Sequence, residues 1–228
     1  MHKAYFLPPF LLQNSVRFVL RMFFSVFARL KVLGLENIPF GHGKIIFASN
    51  HTSELDPILI PVSIPVFLSP GPMFYTSLPK GLYNDLSWWK DFIYGGLFFK
   101  AWGAHPVRLG AKNYAFSLER HRQILEDKAK MCIFPEGSRS KDCKIKSAKG
   151  GIGYLAHKTG AVVIPTNVSG VCNTKAKNLF TGKSRFIVNF GKPMYINVSE
   201  DLSDEEYIVS YKNFAEQVMR EVENLMKD

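Results

Sequence analysis

Cysteine is scarce in this 228-residue chain, and no Cys-x-x-Cys pair is present. The three cysteines, Cys132, Cys143 and Cys172, leave one over in any pairing. This pattern argues against a disulfide framework and against a cysteine-based zinc site, and it is typical of a reducing compartment. We therefore expect neither a disulfide framework nor a metal site.

Several sequence motifs of well-known enzyme classes are also missing. The chain contains no G-x-S-x-G, no H-E-x-x-H, no P-loop and no G-x-G-x-x-G. Their absence means that no serine-hydrolase nucleophile, zinc-protease helix or nucleotide-binding loop is indicated.

Long hydrophobic runs that could form a membrane-spanning helix are lacking. The longest uncharged stretch, residues 57–79, contains six prolines, which would interrupt a helix of the roughly 20 residues that a bilayer requires. Residues 4–16 are uncharged but too short, and Pro8 and Pro9 with no small-residue cleavage pattern argue against a signal peptide. If the protein contacts a membrane, we expect it to lie on the surface.

Acidic residues are few outside the C-terminal segment. The net charge is +10, yet residues 199–228 carry nine acids and three bases, so residues 1–198 carry +16. Between Arg139 and Lys192 there are eleven bases and one acid. Such a one-sided field predicts an anionic partner, which could be nucleic acid, an anionic membrane or a phosphate-bearing substrate.

Short apolar segments alternate with helical patterns along the chain. Buried strands are predicted at residues 44–49, 131–134 and 161–164, and the alternation of residues 185–190 predicts a fourth strand. Helices are predicted at 112–130 and 151–158, and a capping box at 203–206 opens a closing helix. The order predicts one α/β domain over residues 32–228, with a mostly buried mixed sheet flanked by helices. An amphipathic helical arm, residues 1–31, precedes it.

The arm is rich in apolar and aromatic residues at helical spacing, with arginines among them. Its pattern fits either a helix packed on the core or a helix lying in a membrane interface, and the phenylalanine content favours the membrane. The residues expected to contact membrane or acyl chain are Phe23, Phe24 and Phe27 of the arm, together with Trp88 and Trp89 of an aromatic tract farther along. That tract could equally be an ordinary aromatic core.

A polar cluster follows the first predicted buried strand, where ligands bind in α/β sheets. His51 has a side chain suited to proton abstraction near neutral pH. Asp56 lies five residues later, about 140° away on a continuous helix, so the two meet only if the chain turns. Pro57 favours such a turn. The alternatives are a histidine bonded to the local hydroxyls of Thr52 and Ser53, and an aspartate that caps a helix.

A second polar cluster, residues 134–140, follows the next predicted strand of the sheet. Gly137 permits a tight backbone turn, and Ser138 and Arg139 supply donors that suit a phosphate group. By itself this segment could be an ordinary turn. Because the chain signals a base but no protein nucleophile, His51 is expected to activate a substrate hydroxyl directly.

These segments resemble the lysophospholipid and glycerol-phosphate acyltransferases. The family's His-x4-Asp motif is matched by residues 50–56 (NHTSELD), and its F-P-E-G-[TS]-R-S motif by residues 134–140 (FPEGSRS). Three further segments are similar to family motifs: 34–39 (GLENIP), 103–108 (GAHPVR) and 163–168 (VIPTNV). The resemblance covers about residues 30–200, with the motifs in the family order.

The resemblance implies roles for individual residues. His51 would be the general base that deprotonates the acceptor hydroxyl, and Asp56 would orient and polarise it. The acceptor phosphate would be held by Arg108 and Arg139 in a pocket lined by Gly137 and Ser138, with Glu136 positioning the acceptor or the motif. The family transfers an acyl chain from an acyl-coenzyme A or acyl-carrier-protein thioester. It uses no metal, no cofactor and no covalent acyl-enzyme.

The expected function is acylation of lysophosphatidate to phosphatidate by a peripheral or monotopic protein on the cytoplasmic face of an anionic membrane. A related possibility keeps the chemistry and changes the acceptor to a lyso-ornithine lipid or another lysophospholipid. A non-enzymatic alternative is a basic module that binds anionic lipid or nucleic acid. That alternative does not require His51 and Asp56 beside an arginine-bearing loop, so no nucleic-acid partner is expected.

Overall fold

The computed structural model describes residues 4–79, 97–108, 113–174, 178, 184–199 and 201–226. These residues form a seven-stranded sheet in the spatial order β1-β7-β6-β2-β5-β3-β4. The strands are β1 (Lys31–Leu33), β2 (Ile45–Ser49), β3 (Met73–Ser77), β4 (Ala104–Pro106), β5 (Lys130–Ile133), β6 (Val162–Ser169) and β7 (Ile187–Phe190).

Helices cover both faces of this sheet. They are α1 (Leu7–Phe27), α2 (Asp56–Ser63), α3 (Leu97–Ala101), α4 (Tyr114–Ser117), α5 (Glu119–Glu126), α6 (Gly151–Thr159) and α7 (Asp204–Asn224). The helix predicted over residues 112–130 is thus two helices, because the backbone leaves helical geometry at Leu118. The predicted single α/β domain with a mixed sheet and a preceding helix is confirmed.

The parallel part of the sheet brings two polar loops to one edge. Strands β6, β2, β5, β3 and β4 run parallel, whereas β7 is antiparallel to β6. Ala48 of β2 pairs with Ile133, the last residue of β5, so β2 and β5 end at nearly the same level, whereas β6 continues beyond them to Ser169. The segments that begin at Ser49 and Phe134 therefore leave the sheet side by side.

Strand β2 is buried on both faces, which explains its unbroken apolar sequence. Ile45 and Phe47 point into the core formed with α1 and α2. Ile46 and Ala48 point into the opposite core, with α6 and α7. Alternate residues of a strand face opposite sides of the sheet, so both helical layers hold the strand from which the His51 loop departs.

The closing helix α7 begins with the predicted capping box. The Ser203 side chain accepts a hydrogen bond from the Glu206 backbone, and the Glu206 side chain accepts one from the Ser203 backbone. The helix then packs against α6 at Gly153, where a Cβ atom would stand 2.6 Å from the Tyr211 Cα. Glycine is required there because the two helices approach so closely.

Helix α1 is attached to the domain by polar side chains, which the sequence did not indicate. Gln13 is fully buried and bonds to the backbone of Met73 and to the Trp102 carbonyl. Arg17 donates to the carbonyls of Ile64 and Ser69. The positive charge of Arg17 therefore points into the protein, unlike that of a basic helix displayed to a lipid surface.

The apolar face predicted for membrane contact is the one that packs on the domain. Val16, Leu20 and Phe23 lie against the core, and Phe24 is itself a core residue with 4% exposure. Because Phe24 is buried in the core, the expectation that it contacts the membrane is wrong. An opposite set of apolar side chains is exposed instead: Phe18, Val19, Met22 and Val26, called here the outer face of α1.

Helix α1 is longer than the uncharged stretch, residues 4–16, from which the sequence analysis judged its length. It has 21 residues because it continues through its arginines to Phe27. By length and composition alone it would be able to cross a bilayer, although such a test is also passed by core helices and by signal sequences.

A disulfide joins Cys143 to Cys172, so the expectation from cysteine counting was wrong at this pair. The Cα atoms are 5.9 Å apart, a spacing typical of disulfides. Cys143 lies in the loop after β5 and Cys172 follows β6, and strands that end at one sheet edge bring the two cysteines together. The remaining cysteine, Cys132, is buried and free.

Candidate active site

His51 and Asp56 are in direct contact at the edge where β2 ends. The His51 Nδ1 atom lies 3.0 Å from Asp56 Oδ2. Asp56 is the first residue of α2, and the chain between the two folds back as the sequence predicted. The Asp56 side chain is fully buried, whereas 22% of the His51 side chain is exposed. The site thus has a buried carboxylate and an imidazole that solvent can reach.

Backbone amides fix the carboxylate in place. The Thr52 and Ser53 amides donate to Asp56 Oδ2 at 2.8 and 2.9 Å. A carboxylate held this way accepts the Nδ1–H of the neutral imidazole and leaves Nε2 as the unprotonated nitrogen. The arrangement therefore equips Nε2 to accept a proton and Asp56 to stabilise the imidazolium that forms.

The loop after β5 supports His51 from three sides. The His51 ring stacks on Phe134, with ring centroids 4.1 Å apart. The His51 amide donates to Glu136 Oε1 at 3.0 Å, and its carbonyl accepts from the Ser140 amide at 2.7 Å. The two polar clusters found in the sequence are therefore one structural unit.

Glu136 joins this unit to the chain that follows. Its second oxygen accepts the Lys146 amide, and 4% of the residue is exposed. Burial raises the pKa of Glu136, and the two backbone donors act in the opposite direction. Both oxygens of Glu136 bind backbone, which fits a role in positioning the motif.

Gly137 needs its lack of a side chain. Its φ is +72°, and a Cβ atom there would stand 2.8 Å from the Lys149 side chain. The Lys149 amide donates to the Pro135 carbonyl, so this lysine is packed onto the turn.

Arg139 and its neighbour Lys146 place positive charge beside this unit. Arg139 makes an exposed ion pair with Glu54 at 2.9 Å. Lys146 Nζ donates to the Arg139 carbonyl at 2.8 Å and lies 3.5 Å from Ser138 Oγ. The structure therefore brings Arg139 and Ser138 next to the His51 loop. It also places Lys146 there, which the sequence motifs do not indicate because only the folded loop brings Lys146 to Arg139.

Arg108 lies farther away. It follows β4, three strand spacings from β2, which corresponds to roughly 14 Å. Its guanidinium stands over the Phe116 ring, 5.1 Å from the centroid, and the side chain borders an open concavity of about 560 Å³. The structure thus groups Arg108 with a different set of side chains from Arg139.

Asn50 is a supporting residue to which the sequence had assigned no role. Its buried amide donates to the Val168 carbonyl and accepts from the Val168 amide, both at 2.9 Å. These two hydrogen bonds continue the pairing of β2 and β6 beyond Ser49 and hold the chain in place directly before His51. The position of Asn50 next to His51 in the sequence motif was the signal that could have indicated this supporting role.

Other candidate groups contribute less. Burial first, and the nearby Asp56 carboxylate second, raise the pKa of Cys132 well above its ordinary value, so this thiol is not suited to act as a nucleophile.

Of the other residues predicted to contact membrane or acyl chain, Phe23 is half-buried and Phe27 is 36% exposed. Trp88 and Trp89 lie outside the described residues. Within the described part of the chain, no group of three or more potential metal ligands occurs.

The fold and the site define an α/β protein that carries a histidine–aspartate pair at the carboxyl edge of its parallel strands. The Acyltransferase family model matches residues 29–169, more than half of the chain. The chain therefore belongs to the Acyltransferase family, and the resemblance found in the sequence is confirmed.

Named relatives agree with this assignment. The chain is 28% identical over 186 residues to 1-acyl-sn-glycerol-3-phosphate acyltransferase LPAT1 of Arabidopsis thaliana, covering 78% of this chain and 47% of that protein. It is 27% identical over 186 residues to 1-acyl-sn-glycerol-3-phosphate acyltransferase BAT2 of Brassica napus, covering 78% and 49%. The chain thus spans about half the length of the curated relatives it matches.

A solved structure has the same fold. The 1-acyl-sn-glycerophosphate acyltransferase PlsC from Thermotoga maritima superposes with a TM-score of 0.59 at 23% identity, covering 93% of this chain and 79% of that one. At this identity the likeness concerns the fold.

Proposed function

We propose that this protein transfers an acyl chain from an acyl thioester to the free hydroxyl of lysophosphatidate, forming phosphatidate. The contact between His51 and Asp56, at an edge flanked by cationic side chains, is the observation that carries the proposal. The relatives named as 1-acyl-sn-glycerol-3-phosphate acyltransferases support the choice of acceptor. The donor is acyl-coenzyme A or an acyl carrier protein.

The chemistry needs only groups that the pair supplies. The Nε2 atom of neutral His51 takes the acceptor hydroxyl proton as the oxygen attacks the thioester carbonyl carbon. The buried Asp56 carboxylate stabilises the imidazolium formed in this step. When the carbon–sulfur bond breaks, the imidazolium returns the proton to the departing thiolate. The products are the ester and a thiol, and His51 is neutral again.

The acceptor phosphate is proposed to bind near Arg139, Ser138 and Lys146. Exposed ion pairs contribute little to stability, so exchanging Glu54 for a phosphate on Arg139 costs little. Gly137 lets the backbone approach the bound group, and Glu136 holds the loop. The resemblance also assigns Arg108 to the acceptor phosphate, and this remains a proposal.

We also propose that the outer face of α1 rests on an anionic membrane. The hydrophobic side chains of this face are 53–69% exposed, and Phe67, in the loop that Arg17 holds against α1, is 83% exposed. Exposed apolar patches of this kind mark interaction sites. Carbonyls of the domain accept hydrogen bonds from Gln13 and from Nη1 and Nη2 of Arg17, so α1 is proposed to lie along the cytoplasmic surface as part of a peripheral or monotopic protein.

Replacing His51 tests the catalytic assignment. His51→Ala should lower the rate of thiol release from the thioester roughly 10²- to 10⁴-fold, because the general base is lost. His42→Ala, which changes an exposed histidine away from the site, serves as the matched control. A folded His51→Ala protein with normal turnover would rule out the proposed role.

A panel of acceptors tests the substrate. The same radiolabelled thioester is supplied with lysophosphatidate, a lyso-ornithine lipid or another lysophospholipid. The proposal expects lysophosphatidate to give the highest kcat/KM. A higher value with another acceptor would keep the chemistry and replace the substrate, whereas lipid binding without turnover on any acceptor would indicate a non-enzymatic module.

A further inference from the structure

An open concavity with two arginines lies beside the end of β4, away from the His51 pair. It encloses about 560 Å³ and is lined by Pro79, Pro106, Val107, Arg108, Phe116 and Arg120. No acidic side chain is among these lining residues. Two positive charges at one concavity are suited to an anionic group, because their Coulomb attractions to that group add.

Both guanidinium groups are oriented by aromatic rings. Arg120 lies 4.1 Å from the Tyr5 ring centroid, and Arg108 lies 5.1 Å from that of Phe116. Stacking of this kind fixes the plane of an arginine and leaves its N–H donors free for a ligand. The one side-chain hydrogen bond of Arg120 in the described part of the chain, to Gln123, is long at 3.5 Å.

The contrast with Arg122 shows that this arrangement is specific to Arg120. Both arginines belong to α5, and Arg122 forms ion pairs with Glu119 and Glu126. Among the described residues, Arg120 and Arg108 make no ion pair with a carboxylate. Hydrogen bonds from Arg122 first, and the charge of Arg108 as a weaker cause, lower the pKa of Glu119, so this carboxylate is engaged mainly by Arg122.

We propose that Arg108 and Arg120 together form a phosphate-binding subsite, with Arg120 as a second substrate-binding arginine. Two planar guanidinium forks facing one concavity match the several oxygens of a phosphate better than one fork does. This inference rests on the proposed acyl transfer, because it assumes that a phosphate-bearing substrate reaches from this concavity to His51.

The spacing of the strands bears on which substrate supplies the phosphate. The axes of β2 and β4 are roughly 14 Å apart. In lysophosphatidate only the glycerol carbons separate the free hydroxyl from the phosphate. In acyl-coenzyme A or an acyl carrier protein, the long pantetheine arm separates the thioester from the phosphate. The distance therefore fits the donor phosphate better, and the subsite would replace the acceptor-phosphate role that the resemblance implies for Arg108.

Binding measurements on matched variants test the subsite. Arg120→Met removes the charge and keeps an unbranched chain on the Tyr5 ring, whereas Arg122→Met removes the same charge from the same helix outside the concavity. Titration calorimetry with coenzyme A and with a short-chain lysophosphatidate gives the two dissociation constants. We expect Arg120→Met and Arg108→Met to weaken coenzyme A binding roughly 10-fold or more, with Arg122→Met close to the parent protein.

Each outcome has a distinct meaning. Weaker binding of lysophosphatidate instead of coenzyme A would keep the subsite and assign it to the acceptor. The subsite would be overturned if the Arg120→Met and Arg122→Met proteins bound both ligands with the same dissociation constants. Arg120→Lys keeps a charge and should regain part of the affinity lost in Arg120→Met; regaining none, with both variants folded, would show that Arg120 acts through packing alone.

The binding test is independent of the proposed function. Because it requires no turnover, loss of coenzyme A binding in Arg120→Met would support the subsite even if acyl transfer were absent. Conversely, active acyl transfer with identical Arg120→Met and Arg122→Met proteins would overturn the subsite alone.

Discussion

Replacing Asp56 by asparagine isolates the charge of the buried carboxylate. Asparagine has nearly the same shape, and its carbonyl oxygen can still accept from the Thr52 and Ser53 amides. What is lost is the negative charge 3.0 Å from His51 Nδ1. With charge centres roughly 4 Å apart and an effective dielectric of about 20, the attraction to the imidazolium is about 4 kcal/mol. Losing it corresponds to a rate reduction of about 10³-fold.

The assay follows thiol release from the thioester at saturating lysophosphatidate. We expect Asp56→Asn to lower kcat by about 10²- to 10⁴-fold with the thermal unfolding midpoint little changed. The KM for lysophosphatidate should change much less than kcat, because Asp56 is buried and does not face the acceptor. A folded Asp56→Asn protein with the parent kcat would refute the assigned role of the pair.

Three further predictions concern stability and location. Reducing the Cys143–Cys172 disulfide, whose cysteines are 29 residues apart, should lower the free energy of unfolding by about 3.5 kcal/mol in denaturant titrations, and an unchanged midpoint would contradict this. Burial lowers the pKa of His121 to about 4, so the unfolded chain binds a proton that the folded chain does not. Stability should therefore fall as pH drops below 6.5, by about 2 kcal/mol at pH 5, and His121→Gln should remove this part of the loss. Phe18→Ser and Phe67→Ser should each weaken binding to anionic vesicles in flotation assays, and parent-like binding of both would contradict the membrane surface.

Local sequence pattern was sufficient for the centre of the domain. Strands β2, β5 and β6 were predicted because buried strands carry continuous apolar residues between turn signals, and β7 was predicted from the alternation of residues 185–190. The turn at Pro57 that brings Asp56 to His51 followed from the restrictions proline imposes on its neighbours. These features depend on residues close together in the chain.

The features that sequence reasoning missed depend on contacts between distant residues. Strands β1, β3 and β4 have three to five residues each, and only their pairing in the sheet defines them. Helix α1 is apolar on opposite sides, so periodicity could not tell the core-facing Phe24 from the exposed Phe18. The carbonyl partners of Arg17 lie about fifty positions away in sequence.

The proposal that this chain acylates lysophosphatidate, with His51 as the base, is tested by measuring thiol release from an acyl thioester with and without lysophosphatidate. We expect the thiol to appear together with phosphatidate only when lysophosphatidate is present, and His51→Ala to abolish this dependence. Thiol release that is indifferent to lysophosphatidate, or none from either acyl-coenzyme A or acyl carrier protein, would contradict it.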